Sequence, residues 1–285
     1  MKISLVFKPL FILNYLKMIR GLNLLIVGLT QYFTAIFLLR KGLTWNLLYD
    51  ENFFLLVSST VLITSAGYLI NDYYDVKIDY VNRPDRVAVG RTFRRRWTII
   101  THTILNIAGI AIGFYISPTI GIINFFAAFL LWLYSNQLKR LPFVGNITIA
   151  ILTGTPLFLV GQFFQERVYL VLCYAIFAGF ITLVREIIKD MEDLKGDEKF
   201  GCKTLPIVFG IAKTKKFLYL VIAVFVATVF LLMISVNLIL PIVLSVVLIL
   251  LIFKLSKADK VKDYGQLSTF CKIIMLMGVM SMIWI

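Results

Sequence analysis

Asp72, Asp75 and Asp79 stand three and four residues apart in the stretch INDYYDVKID, so on a helix their carboxylates share one face. Like charges on one face repel by a few tenths of a kcal/mol per pair, and a bound cation removes that repulsion. Oxygen ligands of this type suit Mg²⁺, which is held by one or two carboxylates together with waters and substrate phosphates. Asn71 adds a neutral oxygen beside the row. A second row, Glu186, Asp190, Asp193 and Asp197, is spaced by four, three and four residues and is again expected on one helical face. The candidate metal-binding residues are therefore Asn71, Asp72, Asp75, Asp79, Asp190, Asp193 and Asp197. A phosphate-bearing ligand is implied between the two rows.

The elements that position these rows are membrane spans. Hydrophobic residues make up 60% of the 285-residue chain and the mean hydropathy is +0.91, whereas soluble domains hold roughly 45 to 50% apolar residues. Nine apolar stretches are long enough to cross a hydrocarbon core of about 30 Å as helices. They lie near 22–39, 52–71, 97–116, 119–135, 143–164, 168–188, 217–235, 238–255 and 267–284. The expected fold is an all-α integral-membrane domain over 1–285, with a central cavity between two halves. Residues 1–20 carry Lys2, Lys8, Lys17 and Arg20 among apolar neighbours, as an interfacial anchor would, and the first span is expected to be retained.

With the amino terminus on the cytoplasmic side, the outer loops contain only Arg40, Lys41 and Arg167 of the 29 basic residues. The opposite orientation reverses the positive-inside bias. Both acidic rows then fall on the cytoplasmic side, at the ends of spans two and six, and the cavity opens there. A net charge of +14 carried between apolar spans excludes a nucleic-acid-binding surface. Cys173, Cys202 and Cys271 are scattered and odd in number, which predicts packing roles, and one histidine, His102, cannot build a transition-metal site.

Asn71-Asp72-x-x-Asp75-x-x-x-Asp79 and Asp193-x-x-x-Asp197, preceded by Asp190, resemble the two aspartate motifs of the UbiA superfamily of intramembrane prenyltransferases. The likeness extends to Arg20 and Asn23 at the first span, Asn82-Arg83-Pro84-Asp85-Arg86, Leu138-Lys139-Arg140 ahead of Gly145-Asn146, and Gly201 through Pro206. The resemblance implies that the two motifs hold Mg²⁺ against a polyprenyl diphosphate and that the prenyl group moves to an acceptor. Asp72, Asp75, Asp193, Asp197 and Lys139 are then the expected catalytic residues. Asn23, Asn71, Arg83, Lys139, Tyr134 and Asn146 are the expected substrate contacts.

Ionising an allylic diphosphate is eased by positive groups at the leaving oxygens. Arg83 and Lys139 suit that role ahead of Arg86 and Arg140, whereas Arg94, Arg95 and Arg96 are expected to face lipid headgroups. Tyr73, Tyr74, Trp132 and Tyr134 could steady the allyl cation. Tyr134 departs from the family's Tyr-x-x-x-Lys spacing, because Ser135 stands where that tyrosine belongs. Arg185 and Lys189 are expected on a different face from the second row, paired with Glu192 or with headgroups.

The run from Arg185 to Pro206 looks most like the branch that prenylates geranylgeranylglyceryl phosphate. An aromatic acceptor of quinone synthesis is the alternative, and Val87-Ala88-Val89-Gly90 counts against it because many such members carry Pro-Leu-x-Ser-Gly there. A transporter that binds Mg²⁺ and phosphate without chemistry would place polar groups at mid-membrane; here the charges gather at one face.

Overall fold

The computed structural model describes residues 15–16, 18–39, 45–82, 89–90 and 93–285. Apart from an isolated bridge between Val89 and Phe93, regular structure among these residues is helical. In chain order the helices are α1 (Gly21–Phe33, continued by a π-helical turn over Thr34–Leu39), α2 (Glu51–Asn82), α3 (Arg95–Ile116), α4 (Pro118–Asn136), α5 (Val144–Phe164) and α6 (Val168–Glu192). The short helices α7 (Leu194–Lys199) and α8 (Leu205–Phe209) follow, then α9 (Ile211–Met233), α10 (Ile239–Lys257) and α11 (Val261–Ser281). Among the described residues nine of these, all but α7 and α8, are long and apolar enough to cross a membrane, which meets the expected count.

The longest helix carries the first acidic row. At 1.5 Å per residue, the 32 residues of α2 span about 48 Å, against about 30 Å of hydrocarbon. Its last three turns, with Asp72, Asp75 and Asp79, therefore continue the helix beyond the span expected at 52–71.

Packing follows from small residues and a few buried polar ties. The helix α2 packs on α3 and α4, α5 on α6, and α6 on α9 and α11, while α1 touches both α2 and α5. A Cβ added at Gly109 would sit 2.7 Å from the Ile63 side chain, so α3 approaches α2 closely only because this residue is glycine. Asn124 of α4 donates to Ser59 Oγ of α2 and to the Gly109 carbonyl, each at 3.2 Å, and thereby pins three helices together. Gln31 of α1 does the same across the halves, donating to Thr60 Oγ1 at 3.2 Å and to the Pro156 carbonyl of α5 at 3.0 Å. Within a bilayer such ties are worth about 1 kcal/mol each, a modest sum because the groups also find partners before the helices assemble.

His102 is buried with its Nδ1 3.0 Å from the Ala66 carbonyl, and the three cysteines are buried and free. Both findings agree with the packing roles expected for them.

Candidate active site

The end of α2 and the α6–α7 corner meet at one face of the bundle, and the polar side chains expected from the sequence gather there. On the first row, Asp72 accepts from Arg20 Nη2 at 3.0 Å. Arg20 precedes α1 with a left-handed backbone, φ 54° and ψ 53°, a conformation that costs a non-glycine residue about 1 kcal/mol. Its guanidinium also lies 4.6 Å from the centre of the Tyr68 ring, and Asn23 Nδ2 reaches the Tyr68 hydroxyl at 3.4 Å. Asn23 thus supports the ring beneath Arg20.

Lys139 serves the next two residues. From the turn Leu138–Arg140 its Nζ ion-pairs with Asp75 at 2.5 Å and lies 3.5 Å from Asn71 Oδ1. Gly145 makes that placement possible, since a Cβ there would fall 2.8 Å from Lys139 Cα. The loop after the second motif joins on, with Lys203 N donating to the Arg140 carbonyl at 2.8 Å.

The second row is not one continuous helical face. The helix α6 stops at Glu192, Asp193 has φ −91° and ψ 5°, and Asp197 sits in the separate helix α7. The physical reason is Asn82, the last residue of α2, whose Nδ2 donates to the Asp193 carbonyl at 3.2 Å and whose Oδ1 accepts from Gly196 N at 3.0 Å. Gly196 lies so close that a Cβ would be 2.4 Å from the Asn82 amide. This clamp redirects the chain at Asp193 and turns Asp197 back toward α2, where it comes within electrostatic range of Asp75 and Lys139. Asp190, still on α6, accepts from Asn146 Nδ2 of α5 at 2.9 Å. Asn146 therefore makes a helix-to-helix hydrogen bond that also orients a site carboxylate.

Two further expectations need correction. Lys189 does not stand apart from the acidic row, because its Nζ is 3.8 Å from Asp193 and it lies within electrostatic range of Asp79, Asp190 and Asp197. Arg185 pairs with its neighbour Glu186. Of the four candidate aromatics, Tyr134 lies within electrostatic range of Asp75, Glu186 and Asp190. Tyr73 lies under Arg95, whose guanidinium carbon is 4.5 Å from the ring centre, Tyr74 packs edge-on to Tyr73, and Trp132 packs on Phe129. Arg94 and Arg96 are exposed, as expected for headgroup contacts. Arg83 and Arg86 lie outside the described residues.

Burial, and next the adjacent Asp193, push the Asp197 carboxyl up to about 7 from its ordinary 3.8, although Lys189 and Lys139 oppose the shift. Among the described residues no three acidic, histidine or cysteine side chains close on one point as a finished metal cage. The carboxylates instead stand in facing groups. Sequence reasoning left out Arg20, Asn82 and Lys189 as site residues, although Arg20 ahead of the first span and Asn82 in the Asn-Arg-Pro-Asp-Arg stretch both stand in the segments that carry the family likeness.

An integral, multi-pass helical membrane protein with two acidic helix ends and interleaved cations at one face is the class that fold and site define. Residues 28–276 match the UbiA prenyltransferase family, and the chain belongs to that family of membrane prenyltransferases. A digeranylgeranylglyceryl phosphate synthase of Methanosphaera stadtmanae is 36% identical over 200 residues, 70% of each chain. One of Thermococcus gammatolerans is 40% identical over 158 residues, 55% of each. The matched stretches thus span from about half to 70% of these relatives. A solved digeranylgeranylglyceryl phosphate synthase superposes with a TM-score of 0.76 at 25% identity, covering 96% of this chain and 98% of that one. A UbiA homologue from Archaeoglobus fulgidus bound to GPP and Mg²⁺ shares the fold with a TM-score of 0.64 at 15% identity, over 95% of this chain and 100% of the other.

Proposed function

We propose that this prenyltransferase moves a geranylgeranyl group from geranylgeranyl diphosphate to geranylgeranylglyceryl phosphate, with Mg²⁺, on the cytoplasmic side of the membrane. The observation that carries the reading is the meeting of both acidic groups with Arg20 and Lys139 at one face. The names of the curated relatives support the acceptor, and the placement of the basic residues supports the sidedness.

The residues present fit Mg²⁺: the donor set is all oxygen, and Asp197 is a buried carboxyl beside Asp193 whose charged form a cation would stabilise. Asn71, Asp72, Asp75 and Asp79 would hold it from α2, and Asp190, Asp193 and Asp197 from the other side. When bound, Mg²⁺ supplies positive charge to the leaving diphosphate oxygens. Lys139, paired with Asp75, adds an ammonium to the same oxygens, and Arg20, paired with Asp72, adds a guanidinium. Asn146 keeps Asp190 oriented. Tyr134, within electrostatic range of Asp75, Glu186 and Asp190, is the aromatic that would steady positive charge and exclude water.

The test is product identification. Purified protein with Mg²⁺ and geranylgeranyl diphosphate is offered geranylgeranylglyceryl phosphate and 4-hydroxybenzoate together, and the lipids are analysed by mass spectrometry. The expected product is the doubly prenylated glyceryl phosphate, and prenylation of the aromatic acid alone overturns the reading. Asp72→Asn and Asp193→Asn should each lower turnover by about 100-fold or more, the scale of losing one electrostatic contact to the leaving group.

A further inference from the structure

Joining a prenyl carbon to a hydroxyl releases a proton, and the site described so far does not say where it goes. The six motif aspartates, Asp72, Asp75, Asp79, Asp190, Asp193 and Asp197, are those that would hold Mg²⁺ in the reading above. Glu186 is placed differently. It lies on α6 one turn before Asp190, about 6 Å deeper along the helix axis, is only 8% exposed, and is within electrostatic range of Tyr134. Arg185 beside it donates from Nη1 to Glu186 Oε1 and supplies the counter-charge a buried carboxylate needs.

A second observation points to a polar ligand at this depth. Thr182 shares a helical face with Arg185 and Glu186, is 3% exposed, and its Oγ1 has no hydrogen-bond partner. The Arg185 Nε is buried and unpartnered as well. Each such atom costs about 1 to 3 kcal/mol. Gln31 Oε1, Asn106 Oδ1 and Thr204 Oγ1 are also buried and unpartnered, each on a different element, whereas Thr182 Oγ1 and Arg185 Nε stand together on adjoining turns beside Glu186. Together they mark a polar subsite one turn below the carboxylates at the mouth.

We propose that Glu186 is the catalytic base that takes the proton from the acceptor hydroxyl, with Arg185 as its positioning residue and Thr182 as a further contact to the acceptor's polar head. The inference rests on the prenyl-transfer reading above. As the bond between the allylic carbon and the diphosphate oxygen breaks, its electron pair leaves with the pyrophosphate. A lone pair of the acceptor oxygen forms the new carbon–oxygen bond, and the hydroxyl proton passes to the Glu186 carboxylate. The products are the ether, pyrophosphate and a protonated Glu186, which returns its proton to solvent when they leave.

The experiment compares Glu186→Gln, Glu186→Asp and Glu186→Ala with the wild-type protein in the transfer assay. Binding of Mg²⁺ with a non-ionisable geranylgeranyl diphosphate analogue is measured in parallel by calorimetry. Glu186→Gln is expected to lower kcat for transfer by about 100-fold or more, with the KM for the donor and the affinity for the analogue unchanged within about threefold. Glu186→Asp should keep an intermediate kcat, and added formate should restore part of the kcat of Glu186→Ala. Full turnover in Glu186→Gln overturns the proposal. So does a loss that formate cannot restore and that tracks lost analogue binding, since the pair would then be structural. If the wild-type protein prenylates only the aromatic acid, the acceptor reading fails on its own, and the same variants test Glu186 on that acceptor.

Discussion

A single ammonium group bridges both parts of the first motif. Lys139 is only 10% exposed, pairs with Asp75 and faces Asn71, so it sits where a diphosphate approaching the first row would be met. Lys139→Met should lower kcat/KM for the donor by about 100- to 1000-fold, which is roughly 3 to 4 kcal/mol of transition-state stabilisation. Lys139→Arg should recover part of it. Steady-state kinetics with varied geranylgeranyl diphosphate decides the matter, and a variant with unchanged kcat/KM would remove Lys139 from the chemistry. The Asp197 carboxyl carries a pH prediction. Its folded-state value of about 7 stands above the ordinary 3.8, so the metal-free folded protein holds that proton more tightly than the unfolded chain. Stability from this group is complete at the acid end and is lost as pH rises from about 4 to about 7. Mg²⁺ binding needs the carboxylate, so affinity should rise with pH through the range around 7. Calorimetry in two buffers of different ionisation enthalpy would show more proton release at about pH 6 than at about pH 8, and Asp197→Asn should reduce that release; a flat affinity across that range counts against Asp197 as a ligand.

The elements differ in how much of them the sequence disclosed. Apolar runs located every span, because a helix in hydrocarbon must satisfy its own backbone and so must be long and continuous. Spacing also put Asp72, Asp75 and Asp79 on one helix face, since α2 continues unbroken through them. It failed at Asp193, because the break there is set by Asn82, more than a hundred residues away in the chain, and no local pattern encodes a contact of that range. Lys189 was misplaced for a related reason: once α6 ends and α7 turns back, a residue off the expected face stands between Asp79 and Asp193. Gly196→Ala tests this corner. The added Cβ would meet the Asn82 amide at 2.4 Å, forcing the side chain away and breaking two hydrogen bonds of about 1 kcal/mol each. Transfer activity should fall at least about tenfold as the second motif shifts. Asn82→Ala should lose as much, and the double variant no more than either single one, because both remove the same contact. Additive losses would mean that the clamp and the motif act separately.

Across the whole molecule, the acidic groups belong to opposite parts of the bundle. The first lies on α2, packed with α3 and α4, and the second on α6 and α7, packed with α5, α9 and α11. At mid-depth the parts are tied by Gln31, and at the mouth by the Asn82 clamp and by charges that include like-charged carboxylates facing one another. A ligand that binds both groups together should therefore stabilise the assembled bundle more than its components do singly. Mg²⁺ alone meets carboxylates partly neutralised by Arg20, Lys139 and Lys189, and a prenyl diphosphate alone brings negative charge toward negative charge. Each should raise the melting temperature of the detergent-solubilised protein only slightly. Supplied together, the diphosphate oxygens complete the metal's coordination while the metal screens the carboxylates. At a hundredfold excess over the dissociation constant, such binding adds about 2.7 kcal/mol to stability. The melting temperature with Mg²⁺ and the non-ionisable analogue should then exceed the sum of the two separate shifts, and that excess should vanish in Asp72→Asn and in Asp197→Asn alike. An excess that survives either substitution would place the metal on one acidic group only and leave the other to serve the protein's own packing.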